Sequence, residues 1–171
     1  MKKKIAILGS TGSIGKLLIK IIKKDKKNFD IILLTANKNY QKLFNQALMF
    51  NVKNLIITDK KNFEILTKKT KNLDIRVFNN FKNFENIFKK KIDYVMSSII
   101  GLDGLLPTLK IIKFTKKIAI ANKESIICGW NLIKKELKKN KTEFIPVDSE
   151  HFSIWYGLRN LKTKNVEKII L

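Results

Sequence analysis

The sequence predicts an α/β fold, doubly wound around a mostly parallel sheet, and two observations predict it. Short β-rich apolar runs alternate with stretches of helical spacing along almost all of the 171 residues. The residues able to do chemistry gather just after the apolar runs, at the carboxyl ends of the expected strands, where ligands bind in open sheets of this kind. Parallel strands need a long crossover between them, and a helix is the usual one, so alternation of the two patterns calls for a sheet covered on both faces.

In chain order, the apolar runs place strands at Lys4–Leu8, Asp30–Thr35, Asn54–Ile57, Ile75–Phe78, Tyr94–Ser97, Lys117–Ala121, Glu143–Val147 and Val166–Leu171. Between most of them the apolar residues recur at the three-and-four spacing of a helix that buries one face. These stretches are Ile14–Lys24, Tyr40–Phe50, Lys61–Thr70, Phe81–Lys89, Gly104–Phe114 and Lys123–Lys139. The organisation expected is a Rossmann-like domain over 1–147, followed over 148–171 by the start of a second, catalytic and metal-binding domain.

Composition narrows the partners. The formal charge is +22, which on its face suggests nucleic acid or an anionic membrane. Only Arg76 and Arg159 among the 36 basic residues are arginine, however, and base and phosphate readout favour the guanidinium fork. The lysines are scattered among Asn, Ile and Phe, so the charge reads as a bias in residue usage, with no specific nucleic-acid or membrane partner. No apolar run approaches the ~18 residues of a membrane span, and the apolar stretch behind Met1-Lys2-Lys3-Lys4 is too short for a secretory signal. A lone cysteine, Cys128, cannot form an internal disulfide; a cytoplasmic setting is expected.

The turn after the first strand carries the most specific signal. Gly9-Ser10-Thr11-Gly12-Ser13-Ile14-Gly15 spaces three glycines as G-x-x-G-x-x-G between a strand and a helix. One glycine serves the tight turn, one lets backbone approach a diphosphate, and one admits close helix contact, with the diphosphate on free helix N–H groups. A plain capped turn is the competing reading. The second strand then runs into Thr35-Ala36-Asn37-Lys38-Asn39 without a carboxylate. A site for NAD usually has an acid there for the ribose hydroxyl, so NADPH is favoured, with Lys38 in reach.

Three later loops add candidates. Met96–Gly101 places small polar residues and a glycine where backbone would pass a cofactor, or is a simple connection with Asp103 as a helix cap. Ala121-Asn122-Lys123-Glu124-Ser125 sets three functional side chains in succession where capping needs only Asn122 or Ser125. Pro146-Val147-Asp148-Ser149-Glu150-His151 would, if extended, point Asp148 and Glu150 to one side and let them share a hard cation such as Mg²⁺ or Mn²⁺. The alternative is a helix N-cap at Asp148 or Ser149, and two carboxylates do not complete a metal site.

Together, GSTGSIG, GLDGLLPTL, ANKES and VDSEH in this order and spacing resemble the N-terminal part of 1-deoxy-D-xylulose 5-phosphate reductoisomerases, over essentially the whole chain. The resemblance implies a metal-promoted rearrangement of a sugar phosphate and its reduction by NADPH to 2-C-methyl-D-erythritol 4-phosphate, an isoprenoid precursor. It implies that Thr11, Gly12, Ser13 and Ile14 hold the NADPH phosphates, that Lys38 and Asn39 lie near the adenosine 2′-phosphate, and that Asn122 and Glu124 contact the cofactor. Lys123 and Ser149 would contact substrate, Asp148 would bind the metal, and Glu150 would contact both. The family usually has glycine where this chain has Asn37, a residue that tolerates left-handed backbone. Family members are homodimers and continue well past this length, with a phosphate-binding segment, a mobile loop and a further metal ligand. The alternatives carried beside this reading are a non-catalytic nucleotide-binding remnant of such an enzyme and a different NADP-dependent dehydrogenase.

Overall fold

The computed structural model describes residues 1–159 and 166–168. Seven strands form one sheet: β1 (Lys3–Leu8), β2 (Phe29–Ala36), β3 (Asn54–Ile57), β4 (Arg76–Phe78), β5 (Ile92–Ser97), β6 (Thr115–Ile120) and β7 (Glu143–Pro146). Their order is β4-β3-β2-β1-β5-β6-β7, and every neighbouring pair is parallel. All seven carboxyl ends therefore lie along one edge. The order reverses between β1 and β5, and a crevice opens there because the chain leaves the two strands toward opposite faces.

The described residues also form seven α-helices: α1 (Ser13–Lys24), α2 (Tyr40–Phe50), α3 (Lys60–Lys69), α4 (Phe84–Ile87), α5 (Leu105–Ile111), α6 (Lys123–Asn140) and α7 (Ser149–Leu158). The period of two in β1 shows how both sheet faces come to be buried. Ile5 and Ile7 face α1, α2 and α3, packing with Ile19, Ile22, Leu43 and Leu66. Ala6 and Leu8 face the other side, in a cluster with Phe84, Ile111, Ile126 and Ile133 of α4, α5 and α6. Helix α1 buries Gly15, Ile19 and Ile22, the i, i+4, i+7 stripe of an amphipathic helix.

Two expected helices are corrected, and two further points are resolved. The helix expected over Phe81–Lys89 shrinks to Phe84–Ile87, because the Asn80 side chain accepts the Lys82 N–H (2.9 Å) in a turn ahead of it and Phe88 is drawn out of the helix against Phe114. The stretch Gly104–Phe114 is helical in three pieces, with single 3₁₀ turns at Leu102–Gly104 and Ile112–Phe114 flanking α5. Ser149–Leu158 is a helix capped by Asp148, so of the two readings of that loop the extended one is set aside and the N-cap one holds. Asn37 does not use left-handed backbone; the non-glycine residues that do are Asn51 and Lys141, at the carboxyl ends of α2 and α6. Of the last expected strand, residues 166–168 carry no regular structure and 169–171 lie outside the described residues. Among the described residues, no helix is long and apolar enough to cross a membrane.

Candidate functional site

At the crevice beside β1, the three glycines do three different jobs. Gly9 sits at φ +81°, and a Cβ there would lie 2.7 Å from the Ser98 carbonyl oxygen, so the β1 and β5 loops touch backbone to backbone. Gly15 brings α1 down on that turn; its Cβ would stand 2.6 Å from the Ser10 Cα. Gly12 is the N-cap of α1 and has ordinary extended backbone, with no side chain capping the helix and no acid in its first turn. The first N–H groups of α1 are thus available to an anion.

The turn is held from behind. The Gly9 N–H donates to Thr35 Oγ1 (2.9 Å) and the Ser10 N–H to the Thr35 carbonyl (2.8 Å). Gln46 of α2 meets the buried Ser10 both ways: the Ser10 hydroxyl donates to Gln46 Oε1 (2.7 Å), and Gln46 Nε2 donates to the Ser10 carbonyl (3.0 Å). From β5, the Ser98 hydroxyl donates to the Leu8 carbonyl (2.8 Å).

A cavity of about 520 Å³ opens in front of this turn, the size of a pocket for a sizeable cofactor. Its walls come from the ends of five strands, including Thr11 and Gly12 after β1, Asn37 after β2, Thr58 after β3, and Ile99 and Asp103 after β5. Ser13 and Ile14 begin α1 at its rim, both solvent-exposed. Asn39 is committed to a cap, its side chain accepting the Lys42 N–H at the start of α2 (2.9 Å). Lys38 is exposed and close enough to Asp59, after β3, to act on it. The Asp59 carboxyl is held below its usual range, first by the Asn62 N–H and, against some desolvation, also by the Asn62 side chain and the Lys38 and Lys61 charges. Asp103 makes no cap, although capping had been its alternative reading.

The ends of β6 and β7 lie next to each other, joined by the Ile120–Pro146 register and a Val147 N–H bond to the Ile120 carbonyl (3.3 Å). Asn122, expected to touch the cofactor, is 2% exposed and spent on backbone. Its Oδ1 caps α6 through the Ser125 N–H (2.7 Å), and its Nδ2 donates to the Ile99 and Gly101 carbonyls. The side chain thereby ties the β5 loop of the cavity to the turn that presents Lys123 and Glu124, both exposed.

Asp148 caps α7, so the helix reading of this loop is the one realised. Its Oδ1 accepts the His151 N–H (3.0 Å) and meets His151 Nδ1 (2.5 Å), which places His151 beside the acidic turn. The second oxygen, Oδ2, is buried and has no hydrogen-bond partner among the described residues. Burial pushes the Asp148 carboxyl up, but the His151 N–H, ring and charge outweigh it and the group lies below its usual range. Glu150 accepts a bond from the Ser149 hydroxyl (3.0 Å). Its carboxyl is lowered first by its own N–H and then by Ser149; Asp148 opposes and Lys123 assists. Lys123, Asp148, Ser149 and Glu150 therefore share one electrostatic neighbourhood. Among the described residues no three His, Cys, Asp or Glu side chains gather as a metal cluster. The nucleotide-type cavity and the acidic turn share the carboxyl edge, two strands apart, and Asp148 is not among that cavity's lining residues.

Sequence reasoning missed Thr35 and Gln46. Gln46 was legible in part: it falls beside Leu43 and Ala47 on the buried face of α2, and a polar residue on an apolar stripe implies a buried partner.

The family profile of 1-deoxy-D-xylulose 5-phosphate reductoisomerase matches residues 5–129. The enzyme of that name from Pelagibacter ubique (strain HTCC1062) is 66% identical over 171 residues, which are 99% of this chain and 44% of the relative. Among solved structures, the Zymomonas mobilis reductoisomerase in complex with NADPH superposes with a TM-score of 0.81 at 30% identity, over 88% of this chain and 40% of that one. A reductoisomerase in complex with NADPH, fosmidomycin and magnesium gives 0.80 at 32% identity, over 87% and 37%. The chain spans less than half the length of these relatives. On the family match across most of its residues, the chain belongs to the 1-deoxy-D-xylulose 5-phosphate reductoisomerase family.

Proposed function

We propose that this chain is the NADPH-binding part of a reductoisomerase and carries some of its metal-binding and substrate-binding residues. The reaction served is the NADPH-dependent and divalent-metal-dependent conversion of 1-deoxy-D-xylulose 5-phosphate to 2-C-methyl-D-erythritol 4-phosphate. The observation that carries the reading is the uncapped first turn of α1, opening behind Gly9 and Gly12 on a cavity whose β2 wall, Ala36 to Asn39, has no carboxylate.

In this reading Thr11, Gly12, Ser13 and Ile14 take the diphosphate with backbone N–H groups, and Lys38 faces the adenosine 2′-phosphate. Asn39 and Asn122 act by shaping: one caps the helix beside Lys38, the other fixes the Ile99–Gly101 wall. Lys123 and Ser149 address the substrate's oxygens. The unpartnered Oδ2 of Asp148 fits a hard cation, because a buried carboxylate oxygen without a donor is costly until a positive group stands before it. Glu150, two residues on, would join it, and Mg²⁺ or Mn²⁺ is the kind of hard cation that carboxylate oxygens take. Such a cation, when bound, supplies Lewis-acid stabilisation of alkoxide charge. The division at 147/148 into cofactor and catalytic parts, a homodimeric full-length enzyme and a cytoplasmic setting belong to the same reading and rest on the family resemblance.

The test is a fluorescence titration with NADPH and with NADH, with and without Mg²⁺. NADPH should bind at least tenfold more tightly, a margin of about 1.4 kcal/mol, with little effect of the cation. The chain alone should turn over deoxyxylulose phosphate negligibly. Tighter binding of NADH would contradict the reading of the β2 end.

A further inference from the structure

We infer that Gln46 is a positioning residue for the diphosphate turn, acting through Ser10 from a helix that does not line the cavity with it. The inference rests on reading that cavity as the NADPH site. Gln46 is 6% exposed and Ser10 is fully buried. The Ser10 hydroxyl has one hydrogen and two acceptors in reach, Gln46 Oε1 at 2.7 Å and the Thr35 carbonyl at 3.2 Å, and the shorter contact takes it. Gln46 Nε2 returns a bond to the Ser10 carbonyl at 3.0 Å. A primary amide offers a donor and an acceptor side by side at any pH without carrying charge.

Ser10 stands between Gly9, whose left-handed backbone begins the turn, and Thr11-Gly12, whose backbone faces the cavity. The Ser10 N–H bond to the Thr35 carbonyl holds the peptide plane before Ser10, and the Gln46 bond to the Ser10 carbonyl holds the plane after it, which leads through Thr11 and Gly12 to the first N–H groups of α1. Anion binding at a helix start depends on those directions. Gln46 reaches Ser10 from α2, whose N-terminus is capped by Asn39 beside Lys38, so one helix sets the wall nearest the adenosine end and the turn nearest the diphosphate.

The experiment measures NADPH affinity by fluorescence for the unsubstituted chain, Ser10→Ala, Gln46→Met, Gln46→Glu and the Ser10→Ala/Gln46→Met double variant, with circular dichroism at the same temperature. Methionine keeps the length and volume of glutamine, so a space-filling role predicts no change. Positioning predicts about tenfold weaker NADPH binding for Gln46→Met. Glutamate sets an acceptor against the Ser10 carbonyl when ionised and restores a donor when protonated, so Gln46→Glu should lose NADPH affinity as pH rises, which the unsubstituted chain should not do to the same extent. The double variant should lose little more than Gln46→Met alone, because Gln46→Met already removes both bonds between the two residues. Unchanged affinity in Gln46→Met, fully additive losses, or unfolding of both Ser10→Ala and Gln46→Met would overturn the inference. Failure of the unsubstituted chain to bind NADPH would instead overturn the cofactor reading itself, and this inference with it.

Discussion

Gly12 and Gly15 stand three positions apart in the same motif, yet the structure separates their costs. A methyl group on Gly15 would meet the backbone of Ser10, which cannot move aside without breaking the turn. Gly15→Ala should destabilise the chain by about 1–3 kcal/mol in urea unfolding, as overpacking does, and abolish NADPH binding. At Gly12 the nearest atom to a new Cβ is the Gly9 carbonyl at 3.4 Å, an ordinary contact, and φ is −73°. Gly12→Ala should therefore cost only the N-cap preference, about 0.5–1 kcal/mol, while weakening NADPH, since on the proposed reading the methyl would occupy the space where backbone meets the diphosphate. Equal stability losses at the two sites would contradict this division. A similar split is expected at Asp148. Asparagine there keeps a capping oxygen for the His151 N–H, whereas alanine loses it and should cost about 1 kcal/mol; in a full-length relative both should impair metal-dependent turnover. At this scale the glycines were legible because their jobs are local. The second job of Asn122 was not, since its partners Ile99 and Gly101 are brought to it only by the pairing of β5 with β6.

Helices with strong stripes and strands with apolar runs were legible, and the departures occur where the local signal was carried by few residues. Phe81–Lys89 has aromatic residues at helical spacing, but Asn79, Asn80 and Asn83 favour turns, and the phenylalanines satisfy their burial by meeting Phe114 without a longer helix. Helix α7 was legible at its start, as the N-cap alternative for Asp148, but not in its length. None of its residues is buried in the described structure, so it lacks the one-sided stripe by which a helix is read; its start is marked only by the Asp148 cap. The carboxyl end of α6 shows where an element is stabilised less than it could be. Lys141 holds φ +50° to close the helix, its N–H returning to the Leu137 and Lys138 carbonyls. Left-handed backbone costs a residue with a Cβ about 1 kcal/mol relative to glycine. Lys141→Gly should raise the urea midpoint by a corresponding amount, and Thr142, which bonds the Ile112 and Thr115 carbonyls, should stay in place. A lowered midpoint would show that the lysine makes a contribution its backbone does not reveal.

Across the whole molecule, strand order decides what the motifs can do together, and charge decides under which conditions they hold. Parallel pairing puts every loop of interest on one edge, which the alternation of patterns foretold; the interval of two strands between β1 and β7 depends on the order, which no single segment encodes. The charge of +22 is spread over the surface and opposed by few ion pairs, such as Lys116 with Asp93 (2.8 Å) and Lys117 with Glu143 (2.7 Å), all at least partly exposed. Exposed pairs contribute little, while like-charge repulsion over a small domain acts on the entire fold. The carboxyls of Asp59, Asp74, Glu85, Asp93, Asp148 and Glu150 all lie below their usual range, Asp93 chiefly through the Lys116 ammonium and the Lys4 N–H. A group lowered on folding contributes stability that is present above its unfolded value and is lost as pH falls through the folded one. Both effects therefore act in the same direction in acid, because each proton gained removes an attraction and adds to the repulsion. The melting temperature should fall steadily as pH drops from about 5 toward 3, across and below the ordinary carboxylate range. At pH 7, raising NaCl from about 0.05 to 0.5 M should increase it, because screening relieves more repulsion than attraction. A melting temperature that falls with salt at pH 7 would mean that the ion pairs outweigh the lysine excess, and that the scattered lysines are organised where they read as background.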